Sequence, residues 1–139
     1  MEQGRARPRW AWSISAFFLG VSIAVSLAFV VALTGKVPLS AAQQGYLASL
    51  TPLDYLVIGS VMTCNLLGAL CLVQLRQFAV PLLVTGWAFG AFELVWQAID
   101  KGWMAAIGTA GVSGFAAANL LSLIIIAYAL NLARRGILR

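Results

Sequence analysis

Glu93 is the side chain with the most chemistry to offer, because it is a carboxylate inside the apolar run Ala91-Phe92-Glu93-Leu94-Val95-Trp96. At helical spacing Gln97 falls one turn further along the same face and Asp100 about one more, which makes a polar stripe of Glu93, Gln97 and Asp100. The stripe begins about 9 Å inside the end of the helix that would hold it. Charge at such a depth in a membrane costs roughly 2.5–3.5 kcal/mol, so an acid retained there is a candidate for function. Asn65 and Asn119 stand near the middle of two further apolar runs. Grouped around one midplane cavity, Glu93, Asn65 and Asn119 would form a site for a polar solute or a relay for a proton or cation. The plainer expectation is a neutral Glu93 hydrogen-bonded across a helix interface to Asn119 or Asn65. A relay would have to continue along the helix, and between Phe78 and Phe92 only Thr85 could extend it. Amide contacts between membrane helices contribute about 0.6–2 kcal/mol, which is enough to act as glue.

Other chemistry is thin. The chain contains no histidine, which removes the usual haem ligand and the commonest ligand for transition metals. Cys64 and Cys71 are seven residues apart on one helical face, about 10 Å, too far for a disulfide. They read as small packing residues. The phosphate-cradling, zinc-binding and serine-nucleophile motifs G-x-x-x-x-G-K-[ST], H-E-x-x-H and G-x-S-x-G do not occur, and no segment between the apolar runs is long enough to house a catalytic domain. No enzyme activity, cofactor or metal is expected.

The elements that must position these residues are membrane helices. Of 139 residues 62% are hydrophobic and 9% charged, and the mean hydropathy is +0.94, against about 25% charged residues in ordinary soluble domains. Since a crossing needs about 20 apolar residues, the runs at 13–33, 55–75, 78–99 and 103–132 make an all-α membrane protein. It is a single four-helix transmembrane bundle over residues 1–139. The longest polar connection, 34–54, holds Ser40 as a helix cap, followed by Tyr46, Leu47 and Leu50 on one side of a short surface helix. Only Arg76 and Gln77 separate the second and third helices, which are therefore antiparallel neighbours. Pro81 falls in the first turn of the third, where its missing N–H costs nothing.

The net charge of +5 does not indicate nucleic acid, because the arginines flank apolar runs instead of lining one surface. The N-terminal tail, the Arg76 turn and the C-terminal tail together hold seven of the nine basic residues, and the other two loops hold only Lys36 and Lys101. By the positive-inside rule both termini are cytoplasmic and the longer loop between helices 1 and 2 is outside. Trp10 and Trp12 near one boundary, with Trp96 and Trp103 near the other, suit an aromatic belt. The first run follows Arg5, Arg7 and Arg9 as a signal peptide would, but it exceeds the usual apolar core of about 7–15 residues, so it is expected to stay as an anchor.

Small residues supply the candidate helix contacts. Gly86 and Gly90 form a GxxxG, Gly111 and Gly114 with Ala118 form a track in the last helix, and Cys64 with Gly68 a fainter one in the second. Such residues let backbones approach closely, within the bundle or between copies.

At Leu50-Thr51-Pro52-Leu53-Asp54-Tyr55, Asn65-Leu66-Leu67-Gly68-Ala69-Leu70 and Leu75-Arg76-Gln77-Phe78-Ala79-Val80-Pro81-Leu82 the chain resembles a family of small bacterial four-helix membrane proteins. Members share a Thr-Pro before the second helix, a glycine with leucines inside it, and a basic turn followed by Ala-x-Pro-Leu; a loosely given transporter name is sometimes attached to them. The resemblance spans the middle half of the chain and implies the fold and a bacterial inner-membrane location, and it brings no site residues. Here Leu53-Asp54 replaces the aromatic that often follows Thr-Pro, and the turn has one arginine instead of a cluster. Small multidrug exporters share the size but keep a glutamate in the first helix, and 13–33 contains no acid.

Two functions are therefore expected. The first is a non-enzymatic membrane protein, an accessory subunit or homo-oligomer in contact with lipids and acting through helix packing. The alternative is a small proton-coupled or polar-solute transporter built on Glu93, Gln97, Asn65 and Asn119.

Overall fold

In the computed structural model, residues 9–138 are described, with side chains for 12–138. Arg5 and Arg7 of the basic tail, and Arg139, lie outside them. Five helices follow in order: α1 (Arg9–Leu33), α2 (Ala41–Ser49), α3 (Pro52–Val73), α4 (Ala79–Asp100) and α5 (Trp103–Arg134). Four of them, all but α2, are long and apolar enough to cross a membrane, so the chain is an all-helical multi-pass membrane protein. At nine residues α2 is too short to span.

The short helix starts where Ser40 directs it. The Ser40 hydroxyl accepts from the Gln43 N–H while the Gln43 side chain accepts from the Ser40 N–H, a reciprocal capping box. The same device moves the start of α3 upstream of the expected position at 55. Thr51 and Asp54 cap each other, with the Thr51 N–H donating to Asp54 Oδ2 at 2.6 Å, and Pro52 occupies the first turn. Asp54, expected in the loop, is thus a residue of the helix itself.

The turn from α3 to α4 closes on a Schellman motif: Arg76 N–H donates to the Cys71 carbonyl at 2.8 Å and Leu75 N–H to that of Leu72 at 3.1 Å, with Leu75 left-handed at φ 55°. This tight reversal lays α4 along α3, the most extensive helix pair in the molecule. α1 packs on α3, α5 packs on α4, and α2 rests on α5. All four long helices meet in one apolar core near the Arg76 turn, formed by Phe18 of α1, Ala69 and Leu72 of α3, Leu83 of α4, and Ile125 and Ala129 of α5.

The last helix is kinked. Gly108 has φ 65° and ψ −178°, a combination that essentially only glycine adopts, and it sets the first turn of α5 at an angle to the rest. The bend seats Trp103 edge-on against Phe115, ring centres 5.0 Å apart.

Candidate functional site

Two polar regions emerge, and the residues singled out in the sequence divide between them. The first lies beneath α2. Gln97 Nε2 donates to Glu93 Oε1 at 2.7 Å, as the i, i+4 spacing predicts, and Tyr46 of α2 donates its hydroxyl to Gln97 Oε1. Glu93 and Gln97 are both buried. The line Tyr46–Gln97–Glu93 therefore pins the surface helix to α4, and each donor points inward toward the carboxyl. Burial first, and then the nearby Glu93 carboxyl, push the Tyr46 hydroxyl up to about 12, so it remains a donor across the ordinary pH range.

A second fastener stands beside it. Lys101, in the α4–α5 turn, forms an ion pair with Asp54 at the start of α3, the two side chains being 8% and 7% exposed. The lysine also donates to the Ser49 carbonyl at the end of α2 at 3.1 Å, and the Thr51 hydroxyl donates to Asp54 Oδ2 at 2.7 Å. One cation thus ties the ends of α2, α3 and α4 together. Asp100, the third member of the expected stripe, is exposed and takes no part in either fastener.

The second region is a cleft of ≈ 240 Å³ between the four long helices. Asn65 of α3 and Asn119 of α5 both line it, together with Ser22 and Ser26 of α1, Trp87 of α4 and Ser122 of α5. Its apolar wall includes Phe18, Val21, Val61, Phe115 and Leu121. Glu93 is not part of the lining: Gly90 is the last cleft residue on α4, and Glu93 stands one turn nearer the end of that helix. The midplane grouping of Glu93 with both asparagines does not form. Nor does Glu93 reach either amide, since its bond is to Gln97. Asn119 donates to the Phe115 carbonyl of its own helix at 3.1 Å, whereas Asn65 makes no hydrogen bond among the described residues.

The glycines also divide. A Cβ on Gly86 would lie 2.9 Å from Asn65 Oδ1 and 3.0 Å from Cys64 Cβ, one on Gly68 2.8 Å from Leu83 Cγ, and one on Gly90 3.3 Å from Val61. These three lie in the α3–α4 interface, and Gly86 makes the room in which Asn65 sits. Gly111 and Gly114 are elsewhere: a Cβ on Gly114 would meet nothing within 4 Å, and the nearest atoms to one on Gly111 belong to Ile107 of its own helix. Neither makes the close helix contact expected of it. Cys64 and Cys71 are free thiols.

Sequence reasoning did not single out Tyr46 as a partner of Gln97, nor Lys101 and Asp54 as partners of each other. The Thr51-x-x-Asp54 spacing is that of a capping box, and the reversal at Arg76 lays the start of α3 beside the end of α4; these signals for the cap and for the Asp54–Lys101 pair went unused. Among the described residues, no three His, Cys, Asp or Glu side chains converge in a way that would hold a metal ion. Compared with protein-family models, with curated proteins and with solved structures, the chain matches none.

Proposed function

We propose that this chain is a non-enzymatic protein of the bacterial inner membrane, an accessory subunit or small oligomer that acts through helix packing. One observation carries the reading: Glu93, the acid that a proton-coupled carrier would use, is engaged with Gln97 beneath α2 and stands outside the cleft. Its arrangement is that of a fastener. An acid that loads and releases protons needs access to a pathway, and this one is buried against a surface helix.

The face of α1 supports the same reading. Only 6% of its most apolar window is buried, and Phe17, Val25, Leu27 and Val30 are more than half exposed. Lipid covers such a face in a lone copy, and a second copy or another membrane subunit covers it in a complex. In the orientation set by the basic residues, both termini and the Arg76 turn are cytoplasmic, and α2 with the Lys101–Asp54 pair is on the outer side.

Purification in mild detergent, followed by native mass spectrometry, tests the proposal. A stable homo-oligomer or hetero-complex is the expected result. A lone monomer whose reconstituted vesicles show solute flux that Glu93→Gln abolishes would overturn it in favour of the carrier.

A further inference from the structure

The cleft holds an unmet demand for hydrogen bonds. Asn65 stands thirteen residues after the start of α3 and eight before its end, about 20 and 12 Å of helix rise, which is deep within a hydrocarbon layer about 30 Å thick. A primary amide at that depth without a partner is strongly disfavoured, and Asn65 makes no hydrogen bond among the described residues. On the same wall Trp87 has its indole N–H buried without an acceptor. The indole N–H is sealed off from the cleft, whereas the Asn65 amide is accessible from it and lacks an acceptor, which a ligand oxygen supplies.

The surroundings narrow the ligand further. No charged side chain lines the cleft among the described residues, and most of its surface is aliphatic or aromatic, so an ion would lose its hydration without compensation. Its ≈ 240 Å³ exceeds the roughly 150 Å³ of an apolar cavity that admits benzene. Val25 on α1 and Ala118 on α5 line it and are exposed, so the cleft opens between those helices toward lipid. An acyl chain entering there fills space but satisfies no amide, and lipid ester carbonyls stay near the membrane surfaces, away from Asn65.

We propose that the cleft is a binding site for a small uncharged molecule with an apolar body and a carbonyl oxygen, taken up from the lipid phase and held by the Asn65 amide. The site goes beyond the packing role and stands whether the chain works alone or in a complex.

Benzophenone, a neutral ketone that inserts into neighbouring C–H bonds under ultraviolet light, serves as the probe. The full chain is placed in phosphatidylcholine nanodiscs, irradiated and mapped by peptide mass spectrometry. Saturable labelling is expected in the segments 18–26, 61–65, 86–90 and 115–122, reduced more than tenfold by Ala118→Phe, which fills the cleft, and about tenfold by Asn65→Leu. Acetophenone should compete at a concentration about tenfold lower than ethylbenzene, which has the same skeleton without the oxygen. That competition uses the unaltered protein, so it decides the matter even if a variant fails to fold. Labels spread over lipid-facing residues such as Phe92 and Val95, adducts with lipid alone, or equal competition by the two compounds would each overturn the proposal.

Discussion

Gly68→Ala tests whether the α3–α4 interface is held by close backbone approach. The new Cβ would lie 2.8 Å from both Cγ and Cδ2 of Leu83 and 3.3 Å from its backbone nitrogen. Leu83 is 2% exposed, so its side chain has no free volume into which to turn. The helices must separate or Leu83 must leave its rotamer, and overpacking of this kind costs about 1–3 kcal/mol. Against this, alanine is the better helix former by about 0.5–1 kcal/mol. Gly59→Ala separates the two effects, because Gly59 is in the same helix and a methyl added there would meet nothing within 4 Å. The propensity gain is common to both variants and cancels in the comparison. Gly68→Ala should therefore be less stable than Gly59→Ala by about 1–3 kcal/mol, measured by reversible unfolding in mixed micelles followed by circular dichroism. Equal stabilities, or a more stable Gly68→Ala, would refute the account of how α3 and α4 pack.

Other outcomes follow from the same contacts. Gly86→Ala should destabilise by pressing on Asn65 Oδ1, and adding Asn65→Ala should restore part of the loss, a coupling read from a double-mutant cycle. Lys101→Met should cost about 1–3 kcal/mol by stranding the Asp54 carboxylate, whereas the pair Lys101→Met with Asp54→Asn should recover much of it in the same assay. Tyr46→Phe should speed hydrogen exchange across α2 and leave the long helices protected, because it removes the bond to Gln97. Since the folded state holds the Tyr46 proton to about 12, above the ordinary value of 10.0, the folded protein binds more protons between those values. Stability should be intact below pH 10 and fall as pH rises toward 12, and Tyr46→Phe should flatten that slope in alkaline unfolding measurements. Gly108→Ala should cost about 1–3 kcal/mol in thermal unfolding through its backbone conformation alone, as its surroundings are open.

Much of this protein is written locally. Four apolar runs of spanning length determine four helices, because a chain in hydrocarbon must satisfy its own backbone hydrogen bonds. Ser40 determines where α2 starts, and Glu93 and Gln97 bond to each other because helical spacing places them one turn apart. Rotation and depth of one helix against another are not local quantities, and they settled what the polar residues do. Glu93, Asn65 and Asn119 all fall inside apolar runs in the sequence, yet one turn of α4 separates Glu93 from the cleft that the asparagines line. The glycines at 86 and 114 look alike as small residues in apolar runs, and only the presence of α3 across from the first makes it a contact. Tyr46 reaches Gln97 across 51 positions because α2 folds back over α4, and Lys101 reaches Asp54 across 47 because antiparallel packing lays the end of α4 beside the start of α3. Helix existence follows from solvent and length, which a sequence states outright; partnership follows from the packing of side chains at interfaces, which only the folded chain decides.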